Sequence, residues 1–560
     1  MSVVLLPLIS IFERRKIMPH HRSSVFALAC LCALAVGCNS KKADPAKPTA
    51  TAPAAADTGS EGRCRDLIQS VVDTFRLRLL GISSDLDTGV GHLNIWQQNC
   101  GAEEMAKEAP PIPKEVLQQL TREQEESLKE KRFTRRDGEH MRDCVLFKAM
   151  NSYAVGHADD ELGRVVNLFQ HVVRSLTLIS AHAEDLPLTP YEIVLLGRGT
   201  VEDRAWIFAE LLRQLKIDAV ILSPQAQQQD PKASQGEFLV GVLLDEKIYL
   251  FDPKRGVPVP ALKTDDAAPA GVATLEQAIA DPAILKQFDV GEKPYGITAA
   301  DLKQPLAAVV GDTTFWSGRM QALQSQLSGK QALIVYDGIG DSAAGPGLWS
   351  RVMTAGTKHW SSDSQALWKY PETHLGAYAR LSPEQKKKLQ SATAIWLTPF
   401  SVALDGQKQQ LVFGNPEKVF LKMRLAQLNG NFDEAIRGFI DVRRLGRIPE
   451  GATAHEPTRR LHERAALEAW YWCGICQFEQ GKFDASTVTF EKFLEMIDEG
   501  EWVNPCRYQL AVALVAQKNY AGAVKALEAI PEEDLLYFQA QFLIRQWTPL
   551  AAKTKAKEKE

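Results

Sequence analysis

Leu195-Leu196-Gly197-Arg198-Gly199-Thr200-Val201-Glu202-Asp203-Arg204-Ala205-Trp206 opens the stretch, Leu186 to Pro260, whose reading decides the fold. A Gly-rich turn leads into an apolar, helix-like run, Ile207 to Leu215, and then a strand-like Ala219-Val220-Ile221-Leu222. A polar loop separates these from Glu237-Phe238-Leu239-Val240-Gly241-Val242-Leu243-Leu244. Lys247-Ile248-Tyr249-Leu250-Phe251-Asp252-Pro253 and Arg255-Gly256 close the stretch. Glu202-Asp203-Arg204 reads as a solvated charge cluster at a helix start, where the helix dipole favours acids.

Turn, buried helix, strand and hairpin in this order resemble the transglutaminase-like superfamily, related in fold to papain-type thiol enzymes. The resemblance implies a Cys at the helix start, where the dipole favours the thiolate. It also implies a His opening the next hairpin to take the proton, and an Asp ending the following strand to orient that His. Counting back from Ala205 puts Val201 at the Cys position. Counting back from Asp252 puts Glu237 at the His position. Asp252 alone fits its role. An aliphatic side chain offers no lone pair, and a carboxylate cannot serve two partners as an imidazole does. No Cys lies between Cys144 and Cys473, and no His between His182 and His359. The expectation is a degenerate site with no catalytic residues, no cofactor and no metal.

With about 100–200 residues per domain, the 560-residue chain suggests three to four domains. Hydrophobic residues make up 45% and charged residues 24%, an ordinary balance for a globular chain. A net charge of −4 gives no reason to expect nucleic acid as a partner.

Residues 1–37 read as a secretory leader. Arg22 precedes an apolar core that ends in Leu34-Ala35-Val36-Gly37-Cys38. Those last five residues resemble a bacterial lipobox, which implies cleavage before Cys38 and lipidation of its thiol. An ordinary signal peptide or anchor helix is the alternative, and the junction of small residues with a polar run at Cys38 favours the lipoprotein. Val3–Phe12 is a second apolar stretch, most simply explained by translation starting at Met18. Residues 38–62, with almost no large apolar side chains, read as the lipidated Cys and a flexible linker. The folded part is thus expected in the cell envelope, held to a membrane by lipid only. Asn39 after the Cys fits sorting to the periplasmic side of the outer membrane.

Residues 63–178 read as mainly helical. Cys64, Cys100 and Cys144 fall there, and an oxidising compartment allows a disulfide between two of them, with buried thiols as the alternative. His140, His157, His171 and His182 lack metal-ligand spacing and read as surface or core residues. The transglutaminase-like domain is expected over 179–300. The mixed region 301–414 stays unassigned. It offers a helical run after Asp312, a strand-like Ala332-Leu333-Ile334-Val335-Tyr336, and Trp349, Trp360 and Trp368, read as core more readily than as a sugar-binding cleft.

Residues 415–550 resemble tetratricopeptide repeats, an α-solenoid of helix pairs. Gly430, Phe432 and Ala435 fit one unit, Gly481, Phe483 and Ser486 a second, Tyr520 and Ala523 a third. The aromatics are 51 and 37 residues apart, against a repeat of about 34, so an insertion over Leu445–Glu463 interrupts the first pair. Cys473 and Cys476 fall inside a helix of the second unit and read as core thiols. Residues 551–560 read as a charged tail.

The fold expected is α+β: a helical N-terminal region, a transglutaminase-like α/β core, then the solenoid. The function expected is a non-catalytic, membrane-anchored lipoprotein that binds a protein or peptide partner. The alternative is an envelope hydrolase or acyl-transfer enzyme using Glu237, Asp252 and Asp203 as paired acid and base.

Overall fold

The computed structural model describes residues 58–82, 86–106, 109–180, 186–225, 237–262, 271–408, 410–415 and 418–557. The expected leader, Cys38, most of the expected linker and His182 lie outside the described residues. The architecture is mixed α+β, with one six-stranded sheet and a C-terminal stack of helices.

Helices α1 (Thr58–Thr74) and α2 (Leu86–Asn99) form a hairpin closed by a disulfide between Cys64 and Cys100. Cys144 stays a buried free thiol, which settles the pairing. Because α1 starts at Thr58, the last residues of the expected linker belong to the fold, a correction of its boundary. Helices α3 (Arg135–Ala154) and α4 (Glu161–Ser175) follow, then α5 (Pro190–Leu196) and α6 (Val201–Gln214). Eleven of the fifteen residues of α4 are buried, polar Asn167, Gln170 and His171 among them, so α4 runs through the interior.

The sheet contains β1 (Ala219–Ser223), β2 (Leu239–Leu244), β3 (Lys247–Asp252), β4 (Val257–Pro258), β5 (Leu306–Val309) and β6 (Gln365–Leu367). Its order is β4-β3-β2-β1-β5-β6, antiparallel throughout except for β5–β6. Strand β2 is buried at five of its six positions, and its near-continuous apolar sequence is what burial on both faces requires. Phe169 of α4, Phe208 of α6 and Phe251 of β3 meet with ring centroids 5.0–5.4 Å apart and pin the two helices to the sheet. Strands β5 and β6 come from the unassigned region, so the sheet extends beyond the boundary expected at residue 300.

The strand expected at 332–336 does not form, because side chains saturate that backbone. Gln214 Oε1 accepts from Ile334 N–H and its Nε2 donates to Ile334 O, while Gln324 Oε1 accepts from Val335 and Tyr336 N–H. With its polar groups satisfied this way, the segment needs no neighbouring strand.

After α7 (Tyr370–Ala379) and an outlying hairpin, β7 (Val402–Asp405) with β8 (Gln410–Phe413), seven helices stack in sequence. They are α8 (Phe420–Leu428), α9 (Phe432–Leu445), α10 (Glu456–Glu479), α11 (Phe483–Met496), α12 (Val503–Ala516), α13 (Tyr520–Glu528) and α14 (Tyr537–Lys557). The last runs on through most of the expected charged tail, whose Ala and Lys residues are good helix formers.

Three turns in the stack share one geometry. Gly430, Gly481 and Lys518 have φ of +72°, +74° and +64°. The next residue's N–H donates to a carbonyl five residues back in each case: Asn431 to Ala426, Lys482 to Gln477, Asn519 to Leu514. Ala435, Ser486 and Ala523 are fully buried where paired helices approach, and Phe483 is buried while Phe432 and Tyr520 are half-buried. Cys473 and Cys476 lie buried in α10.

The stack does not stand free. Trp472 of α10 occupies the space that a side chain at Gly197 would need, and the Arg424 guanidinium lies 3.4 Å over its ring. Arg424 also donates to the Val194 and Leu195 carbonyls. Gln509 of α12 donates to Arg174 O, and Arg174 pairs with Glu479 at 2.9 Å. One hydrophobic core therefore runs from Ile68 to Leu550.

Candidate functional site

The start of α6 gathers the residues singled out in the sequence. Gly197 ends α5 at φ +67°, a conformation that suits glycine, and the close Trp472 ring would clash with any Cβ. Thr200 then caps α6: its Oγ1 accepts from Asp203 N–H at 3.1 Å, and its own N–H donates to Asp203 Oδ2 at 2.9 Å. That leaves Val201 as the first helical residue, half-buried at the positive end of the helix.

Two of the three charges expected to be solvated are instead buried, and Glu202 is half-buried. Asp203 and Arg204 are 3% and 1% exposed. Arg204 donates to Pro253 O at 2.8 Å and Leu176 O at 2.7 Å, tying the helix start to the end of β3. Burial lowers its pKa to about 10, with Tyr508 and Asp252 acting weakly against it. The Asp203 carboxyl is pushed up to about 6 by burial, against the opposing pull of Thr200 and Tyr370. Burial likewise raises Glu202.

Asp252 ends β3, buried, and accepts from Arg255 N–H and Tyr295 O–H, both at 2.7 Å. Burial raises its pKa, with Arg255 acting against it. Glu237 lies just before β2 and pairs with Lys254. Gly296 lets it lie so close, since a Cβ there would come within 2.6 Å of its carboxylate. Glu237 is among the charges that Asp252 feels, so both ends of the hairpin meet at this site.

One wall comes from within residues 301–414, the region that the sequence alone does not assign. Trp368, Tyr370 and His374 stack, with centroids 5.3 Å and 4.6 Å apart. Tyr370 O–H donates to Asp203 Oδ1 at 3.0 Å, and the same hydroxyl lies 3.2 Å from Thr200 Oγ1. Trp206 meets Tyr370 and His374 edge-on, and Phe238 abuts Trp368. Trp349 and Trp360 lie in the core, and Trp368 is the half-buried member of that trio. Burial lowers His374 to about 4, with Glu202 opposing, so its imidazole is neutral at pH 7. Nothing local in the sequence marks Tyr370 or His374. They reach the site because β6 joins the sheet beside β5.

The imidazole thus comes from outside the stretch, but no thiol faces it among the described residues. The free cysteines among the described residues, Cys144, Cys473, Cys476 and Cys506, are all buried, and burial raises each thiol's pKa. Cys144 does have an imidazole nearby, with His140 Nε2 at 3.7 Å, but inside α3. Burial, Glu210 and Asp143 all oppose its ionisation, so it is no nucleophile. His171 is buried and His157 exposed. Among the described residues no group of three or more His, Cys, Asp or Glu is placed to hold a metal.

Chemically, the site has carboxylates that are already engaged as caps and struts, a neutral imidazole and an aliphatic side chain at the helix start. No family model, curated protein or solved structure matches the chain.

Proposed function

We propose that this protein is a non-catalytic scaffold on a degenerate transglutaminase-like core, lipid-anchored through Cys38 in the cell envelope, which holds a protein or peptide partner in the cleft at the start of α6. The single observation that carries the reading is the commitment of Asp203, Asp252 and Glu237, the three carboxylates an atypical enzyme would need. Asp203 serves Thr200 and Tyr370, Asp252 serves Arg255 and Tyr295, and Glu237 serves Lys254. A general base has to be within reach of the proton it takes, and a nucleophile needs such a base. The stacked rings of Trp368, Tyr370 and His374 give one wall of that proposed cleft, an aromatic surface for an extended chain to lie against. The Cys64–Cys100 disulfide supports an oxidising compartment, as the lipobox-like leader does. The helix pairs of the stack support a tetratricopeptide-like reading through their shared turn geometry and small buried residues.

The test is an assay of the purified full chain for amine incorporation and for peptide and ester hydrolysis, beside a Val201→Cys/Glu237→His double variant. The expected result is no turnover by the wild type. Wild-type turnover that Asp252→Ala abolishes would overturn the reading in favour of an enzyme using Glu237, Asp252 and Asp203.

A further inference from the structure

The interruption between the first two helix pairs builds a pocket on the stack, apart from the α6 cleft. The chain leaves α9 at Leu445 and enters α10 at Glu456, and the loop between them stands over the first turns of α10. Below it is a cavity of about 350 Å³, within the usual size of ligand pockets, floored by Trp470, Leu467 and Met496. Arg447 and Arg459 stand on its rim with His462 and a single acid, Glu463.

Three features in and beside the pocket ask for an anion. Outside the lining but against its Trp470, the half-buried Arg443 guanidinium lies 3.2 Å over the ring and makes no ion pair among the described residues. Burial lowers its pKa against the opposing pull of the Cys473 side chain, and neighbouring Arg447 adds to the lowering. Arg447 and Arg459 make no ion pair among the described residues, and Arg459 spends one donor on Ala452 O. Trp470 Nε1 is buried without a hydrogen-bond partner. A half-buried cation beside a second one, with no counter-charge, is costly unless something supplies it.

Two features ask for an apolar companion longer than a small molecule. Phe413 of β8 stacks on His462 at 6.1 Å yet stays 47% exposed. Met496 of the lining is 47% exposed, and Leu445, where the chain leaves α9 for the loop, is 43% exposed. Exposed apolar side chains grouped around a pocket, with Trp and Arg at its centre, mark a recognition surface.

We propose that this pocket binds an acidic, amphipathic peptide segment of a partner protein, with a carboxylate between Arg447 and Arg459 and an adjoining apolar side chain over Trp470. The site is independent of the α6 cleft and stands whether or not that cleft binds anything.

The test screens the full-length protein against a random octapeptide library with free and amidated C-termini. Binders are then measured against Arg447→Glu, against Arg447→Ala, and against Val201→Trp, which fills the α6 cleft. Arg447 is exposed, so its variants are expected to melt with the wild type. Binders rich in Asp or Glu next to Leu, Phe or Met, weakened at least about tenfold by Arg447→Glu and unchanged by Val201→Trp, are the expected result. No binders, binders without acids, or binders indifferent to both Arg447 variants would overturn it. Binders lost only in Val201→Trp belong to the α6 cleft and leave this pocket empty-handed. Phosphatidylglycerol vesicles and sedimentation of the protein alone complete the test. Lipid binding or self-association that Arg447→Glu removes, without peptide binding, gives the surface to a membrane or a second copy and ends the proposal.

Discussion

Asp203 is held by two donors, Thr200 N–H and Tyr370 O–H, and still keeps its proton to about pH 6, because burial outweighs both. Its folded pKa lies above the ordinary 3.8, so its contribution to stability is fully present below about pH 4 and is lost as pH rises through 6. The loss amounts to at most about 3 kcal/mol. Asp203→Asn imitates the protonated form, and its stability in urea is expected to fall less than the wild type's between pH 4 and 7. Buried Asp143, raised to about 7, acts in the same sense, so the variant's profile is flatter rather than flat. Equal slopes for both proteins would refute the assignment. Gly197 and Lys518 make a complementary pair, since both are left-handed, but only one is glycine. Gly197→Ala puts a methyl 2.2 Å from the Trp472 ring, and an overpacked, strained site of this kind costs about 2–4 kcal/mol. Lys518→Gly, at the third copy of the stack's turn, is expected to stabilise by about 1 kcal/mol, read as a higher denaturation midpoint at unchanged slope.

Among the elements, the α1–α2 hairpin rests on its disulfide. Cys64 and Cys100 are 36 residues apart, and a loop of that length is worth about 3–4 kcal/mol when closed. Cys64→Ser/Cys100→Ser is expected to make α1 and α2 open first, seen as early loss of amide-exchange protection over 58–99 with the sheet still protected. Uniform loss would mean that the hairpin is not a separate unit. The elements also show what the sequence reveals. Strands β1 to β3 and helix α6 were legible because period and burial agree: β2 reads as an unbroken apolar run and is buried almost throughout. The helices of the stack are legible because an aromatic and a small residue recur three positions apart, with glycine two residues before the aromatic in two of the three units. Residues 332–336 misled because an apolar run carries no sign of the Gln214 and Gln324 side chains that take its hydrogen bonds. Glu202-Asp203-Arg204 misled for a related reason, since three charges in a row look solvated until Leu176 O and Pro253 O are seen to receive the guanidinium. The Trp368–Tyr370–His374 wall was out of reach, because its contact with Asp203 spans 167 residues and depends on β6 lying parallel to β5.

For the whole molecule, sequence suggests separate modules in a row, while the packing makes module and stack interdependent. Arg424, buried and stacked on Trp472, gives its donors to the Val194 and Leu195 carbonyls at the end of α5, just before the turn that presents Val201. Gln539 of α14 reaches Gly256 O, and Phe542 packs on Phe288, so the last helix covers the far side of the β3–β4 turn. Removing the stack would bare Gly197, α4 and those carbonyls together, and a buried carbonyl or apolar face without its partner is costly. A fragment ending at residue 414 is therefore expected to aggregate or to unfold without a cooperative transition, while the chain from 58 to 557 melts as one unit with calorimetric and van't Hoff enthalpies in agreement. A soluble 58–414 fragment with a sharp transition of its own would show that the α6 cleft is built by the module alone. Under the packing seen here, the stack's inner helices α10 and α12 are committed to holding that cleft in shape. That leaves the outer face, where Trp470, Arg447 and Phe413 lie, as the part of the stack free to meet another molecule.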